Sequence, residues 1–165
     1  MTDTATVEKL KREWLKPFVE GVMTTLTTMA SLESSVKGIV QVQEDTFSGD
    51  VSAVMGITGK EGEGFVGISF GTDLANVVVS KILGLEASEL EPSDINDGVG
   101  ELINMIAGSA KNTLLGTPYE FQIALPNVIT GSGHQVGFPK DANCWTTTFE
   151  CAGQEFYVHV AYAPL

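Results

Sequence analysis

The chain has 165 residues, 43% of them hydrophobic and 18% charged, a balance that excludes a disordered tail and suits one compact domain spanning 1–165. Nine Lys and Arg against 21 Asp and Glu leave a formal charge of −12. That excludes nucleic acid and anionic membrane as partners, because phosphate surfaces are bound through cations. The opening residues lack a basic region followed by an apolar core, and no run approaches the ~18 apolar residues of a membrane span. A cytoplasmic location is expected. Cys144 and Cys151 lie seven apart; on one strand they point to opposite faces and cannot bridge locally, so reduced, structural thiols are expected.

In chain order, Val7, Leu10 and Trp14 suggest a more exposed leading helix. Pro17 then opens a core-facing helix over roughly 17–30, with Phe18, Val22, Leu26 and Met29 at helical spacing. Val- and Ile-rich stretches at 34–44 and 51–58 and the run 63–70, which follows the turn-prone Gly59-Lys-Glu-Gly62, predict three strands in a meander. A helix from about 72 to 83 comes next, then an acidic linker, Glu86 to Pro92. A second long helix spans about 93–115, and strands are expected near 119–124, 127–130, 144–152 and 155–163. Helix followed by strands thus occurs twice, the mark of a degenerate internal repeat.

The second long helix carries the chemistry. At 3.6 residues per turn, Ile95, Val99, Leu102, Ile103, Ile106, Ala110 and Leu114 share a broad apolar side. Asp94, Asp97, Glu101, Asn104, Gly108, Lys111 and Asn112 form a polar stripe opposite. Glu101 and Asn104 are three apart, so their side chains are neighbours and can reach one partner group. By spacing alone, such a stripe is an ordinary solvated face. Gly98, Gly100 and Gly108 change the balance, because a glycine inside a helix costs about 1 kcal/mol relative to alanine. Their presence predicts that something approaches this backbone closely.

The run Asp97-Gly-Val-Gly-Glu101-Leu-Ile-Asn104-Met-Ile-Ala-Gly108-Ser-Ala-Lys111 resembles the E-x-x-N signature helix of the CheC/CheX/FliY phosphatase superfamily. Pro17-Phe-Val-Glu20 with Thr28-Met-Ala30 resembles the opening helix of its CheX branch, Phe65-Val-Gly-Ile-Ser-Phe70 its central strand, and Leu83-Gly84 the end of the following helix. Leu125-Pro-Asn-Val-Ile-Thr-Gly131 resembles its strand-linking motif, with Asn127 where a small hydroxyl residue is common. In the first helix Glu20 is followed by Met23 instead of an asparagine three positions on. The resemblance therefore implies a one-site, CheX-type protein whose first helix is structural.

The same resemblance implies an α/β (α+β) fold: a twisted, mostly antiparallel sheet packed against two long helices, the signature helix outermost on its polar side. It implies a phosphatase for the aspartyl phosphate of a CheY-like response-regulator receiver domain in chemotaxis or two-component signalling. Glu101 and Asn104 are the catalytic pair it implies, with Asp97, Gly108 and Lys111 as further partner contacts. It implies a homodimer formed through its sheets, no metal or cofactor of its own, and Mg²⁺ only in the partner receiver. The alternative is a non-catalytic module that binds a receiver or acts as a signalling adapter.

Other chemistries are less well served. His134, in Gly131-Ser-Gly-His-Gln135, reads as part of a hairpin loop, and His159 alternates with apolar residues; neither has a companion at metal-binding spacing. Gly59-Lys-Glu-Gly-Glu-Gly64 is acidic and lacks the phosphate-loop pattern. No Gly-x-Ser-x-Gly marks a nucleophile elbow. In the last segment Phe156, Val158, Val160 and Tyr162 share one face and Tyr157 and His159 the other, which fits an edge strand that pairs with a second chain or an interior strand alike.

Overall fold

The structure, a computed structural model, describes residues 3–165. Asp3 starts α1 (Thr4–Leu10): its carboxylate accepts the Thr6 N–H at 3.0 Å. A π turn, Lys11–Leu15, joins α1 to α2 (Lys16–Ala30), so the leading helix and the Pro17 helix form one run. Leu10, Trp14, Phe18, Val22 and Leu26 are all buried, while Thr4, Ala5, Glu8 and Lys9 are exposed, so α1 is the more exposed of the two helices, as expected, with Leu10 and Trp14 turned to the core. Their spacing of four drifts by about 40° per step on a 3.6-residue helix. The wider π turn takes up that drift and keeps Trp14 over the core, where its indole packs edge-on against Phe18 at 5.3 Å and Phe121 at 5.5 Å.

The strands are β1 (Ser34–Gln41), β2 (Thr46–Gly59), β3 (Gly62–Phe70), β4 (Phe121–Ile123), β5 (Asn127–Gly137), β6 (Asn143–Cys151) and β7 (Gln154–Pro164). Between β3 and β4 come α3 (Thr72–Leu83) and α4 (Pro92–Leu114), separated by a 3-10 turn, Ala87–Glu89. Glu91 and Asp94 close a capping box at the start of α4, Asp94 accepting the Glu91 N–H at 2.8 Å, with Pro92 in the first turn.

All seven strands join one sheet in the order β1-β6-β7-β3-β2-β4, with β5 also on β2, and every pairing is antiparallel. The fold class is as the resemblance implies. The expected meander holds for the hairpin β2–β3, but β1 departs from it and pairs with β6, Ser34 opposite Cys151 and Gln41 opposite Trp145. A Val-rich run specifies a strand and one buried face; it carries no information on which distant strand it meets. The repeat is visible in this topology. The hairpins β2–β3 and β6–β7 correspond, β3 and β7 pair at the centre, and each half's first strand crosses to the other half: β1 pairs with β6 and β5 with β2.

On one face of the sheet, Val66, Ile68, Phe70, Phe156, Val158 and Val160 bury under the helices. On the other face His159 is also buried, stacked at 3.8 Å on Phe47. Its Nε2 lies 2.9 Å from Ser69 Oγ and its Nδ1 3.0 Å from Thr146 Oγ1, one nitrogen donating and the other accepting in the neutral ring. Burial pushes its pKa down to about 3. β7 is thus an interior strand covered on both faces. Cys144 and Cys151 both lie on β6, free and buried, and burial pushes the Cys144 thiol up to about 11.

His134 does not sit in a hairpin loop. It lies within β5 opposite Gly49, where the register shifts between Gly49 and Val51, and Gly131 and Gly133 take the positive φ of a bulge. Asp50 fastens this bulge to α3 by accepting the N–H groups of Gly133 at 3.0 Å and Thr72 at 3.3 Å.

Candidate functional site

The helix that carries the polar stripe is held from behind. Val99, Leu102, Ile103, Ile106, Ala107, Ala110 and Leu114 of α4 are buried against α2, α3 and the sheet. The α2 crossing is close: a Cβ added at Gly21 would stand 3.2 Å from the Ile106 carbonyl oxygen. With its apolar side fixed, the helix has its opposite side set by the 3.6-residue period.

That side is open. Asp97 and Glu101 are exposed, Asn104 and Gly108 half-buried, and Lys111 half-buried with Nζ donating to Gln122 Oε1 at 3.0 Å. At about 100° per residue these five positions fall within roughly a quarter turn. Among the described residues neither Glu101 nor Asn104 has a hydrogen bond or ion pair, so the adjacent carboxylate and carboxamide are uncommitted. A carboxylate only accepts hydrogen bonds, whereas a carboxamide donates and accepts. Side by side they can hold a cation and a water at neighbouring points.

The three glycines separate into different roles. At Gly98 a Cβ would meet Val79 Cγ1 of α3 at 2.6 Å; the close approach predicted for this residue is internal. Gly100 faces the link between β4 and β5, its would-be Cβ 3.5 Å from Val128 and 4.0 Å from Pro126, ordinary contacts. Only Gly108, one turn beyond Asn104, faces open space, with nothing within 4 Å of its would-be Cβ. It lowers the floor beside the pair.

The corresponding face of α2 differs. Glu20 is exposed but lies 3.7 Å from Lys16 Nζ, and Met23 is partly buried against the core. No E-x-x-N pair forms there.

Residues 51–150 match the family described as Chemotaxis phosphatase CheX. The chain belongs to the CheX family. No curated protein sequence matches it. Among solved structures it is similar to a chemotaxis protein CheX from Desulfovibrio desulfuricans at 33% identity, TM-score 0.82, covering 89% of this chain and 97% of that one. It is also similar to the chemotaxis protein CheX of Vibrio vulnificus at 29% identity, TM-score 0.83, over 91% and 99%. The Borrelia burgdorferi CheX, solved as a complex with CheY, BeF3 and Mg²⁺, shares the fold at 23% identity and TM-score 0.72, over 91% and 97%.

Two neighbours of the stripe carry no sequence signal as site residues. Met105 belongs to the signature run, and Leu125 lies in the strand-linking motif, but nothing in their spacing places them around Glu101 and Asn104.

Proposed function

We propose that this CheX-family chain is a phosphatase for the aspartyl phosphate of a CheY-like receiver domain, acting through Asn104 and Glu101. The observation that carries the reading is the uncommitted Glu101/Asn104 pair on the uncovered side of α4, beside the open floor at Gly108. A stripe capped by another element would instead have favoured a non-catalytic module. The Borrelia CheX–CheY complex supports a receiver as the kind of partner.

A receiver supplies most of the phosphoryl chemistry: its own Mg²⁺, lysine and hydroxyl side chain hold the charge of the leaving group. It lacks a fixed nucleophile. The Asn104 carboxamide enters this anionic pocket without like-charge repulsion, accepts a hydrogen bond from one water at Oδ1 and can donate one at Nδ2, and holds that water in line with phosphorus. The water oxygen forms the new P–O bond and the P–O bond to the aspartyl oxygen breaks. Inorganic phosphate and the free carboxylate leave, and the proton passes to solvent. Glu101 repels phosphoryl oxygens but attracts the partner's lysine, so its role is to orient the receiver by a charge-assisted hydrogen bond. Asp97, Gly108 and Lys111 extend the contact, with Lys111 steadied by Gln122.

The sheet offers a place for a second copy. β1 is an edge strand, exposed along nearly its whole length, with Val36, Ile39 and Val40 solvent-facing. Unpaired edges of this sort accept another strand, and we assign the homodimer to pairing of β1. Sedimentation of Val40→Lys as a monomer, with the wild type dimeric, is the expected outcome.

The deciding experiment is decay of phosphorylated receivers alone, with wild type and with Asn104→Ala. Wild type accelerates decay of its cognate receiver. The variant loses about 10²–10³ in rate, the cost of one preorganised hydrogen-bonding group, with its fold intact. Full activity of Asn104→Ala overturns the role of the amide. Binding without acceleration by the wild type replaces the phosphatase with a receiver-binding module.

A further inference from the structure

Two apolar side chains from separate segments bracket the polar pair. Leu125, in the link between β4 and β5, is 86% exposed, and Met105, on α4, is 39% exposed. Single exposed leucines are common and mean nothing alone. Here placement distinguishes them. Pro126, next to Leu125, and Val128 line Gly100, and Asn104 lies one turn on, about 40° around the helix from Gly100. On the far side Met105 follows Glu101 by one turn, again about 40° around. Around the helix the order is therefore Leu125–Pro126, Asn104, Glu101, Met105.

The link is held, not loose. The Ala124 N–H donates to the Gly56 carbonyl at 3.0 Å, and Asn127 pairs with Val54. Pro126 restricts Leu125 to extended backbone. An exposed leucine fixed by both neighbours presents its side chain at little further ordering cost, as a contact anchor requires.

We infer that Leu125 and Met105 are the apolar anchors of the receiver interface, seating the partner on both sides of the Glu101/Asn104 pair and excluding bulk water from it. The inference rests on the proposed phosphatase reading. Its occupant is the receiver because any protein that brings a phosphorylated aspartate to Asn104 covers both flanks of α4 at that turn. The two anchors decide which receivers dock, since apolar surface contributes binding over a shape and adds no charge to a strongly acidic protein.

The test measures binding of a beryllofluoride-activated receiver by calorimetry, alongside steady-state dephosphorylation, for wild type, Leu125→Ser, Leu125→Met and Met105→Ser. Leu115→Ser is the control: Leu115 is 63% exposed but lies at the C-terminal end of α4, about 20 Å along the axis from Glu101. Leu125→Ser is expected to raise both Kd and KM about tenfold, with the loss confined to binding. Met105→Ser shows a smaller rise, Leu125→Met restores affinity, and Leu115→Ser leaves it as it was. Wild-type affinity in Leu125→Ser and Met105→Ser, with the wild type active, overturns the anchors while the phosphatase reading stands. Binding without turnover removes the phosphatase reading, and the binding arm still decides the anchors. A wild type that neither binds nor dephosphorylates any receiver overturns both.

Discussion

Helices α2 and α4 occupy matching places in the chain, each ahead of a strand that crosses to the other half and a hairpin that reaches the central β3–β7 pair, yet their outer faces have diverged. On α2, Glu20 is tied to Lys16 and Met23 turns toward the core; on α4, Glu101 and Asn104 are uncommitted and Gly108 leaves the surface low. The scaffold is therefore insufficient for a site. What distinguishes the halves is one carboxamide in place of a thioether, an absent ion pair, and a glycine where α2 carries the exposed Thr27. The most direct way to break this contrast is to truncate the corresponding positions. Asn104→Ala is expected to reduce dephosphorylation by about 10²–10³, equivalent to about 2.7–4 kcal/mol. Met23→Ala should leave the rate within about twofold, read in the same receiver-decay assay after correction for any loss of folded protein.

The back of α4 can be set against its front. Gly98→Ala drives a methyl group into Val79, a fully buried β-branched residue with little freedom to move. A loss of about 1–3 kcal/mol follows from overpacking, measurable as a lower urea midpoint. The frame shared by both helices has its own signature. His159 is buried neutral, with a folded pKa depressed from 6.5 to about 3. The unfolded chain therefore binds the extra proton first as pH falls, and stability is complete above pH 6.5 and declines below it, approaching about 1.4 kcal/mol per pH unit. Urea titrations between pH 7 and pH 5 should show the decline in wild type and its reduction in His159→Gln. The smallest effect is the most diagnostic. Gly108→Ala meets nothing in the folded chain and should stabilise it by about 0.5–1 kcal/mol, while lowering kcat/KM because the added methyl group stands in the open floor beside Asn104.

Much of this was readable in the residues. Helical spacing marked α2 and α4, and the apolar set on α4 is the set that packs, leaving Glu101 and Asn104 together outside. Pairing was not readable. Seven strands were recognisable by composition, but β1 meets β6 and β5 bulges opposite Gly49–Val51, because those choices depend on contacts between residues far apart in sequence. The glycines show the same division. Composition flagged all three as costly, and only the packed helices show that Gly98 serves α3, Gly100 faces the link to β5, and Gly108 alone opens outward.

The route of β1 also bears on how the chain folds during synthesis. Its partner strand is β6, and β3 completes its inner side with β7, so Ser34 waits for Cys151 and Val66 for Val160. A ribosome that has released only the first half exposes strands whose mates are still unmade. Closure then depends on long loops that form slowly. Until then β2 and β3 can pair with each other, but the open edges of β1 and β3 are the surfaces a chaperone would need to shield.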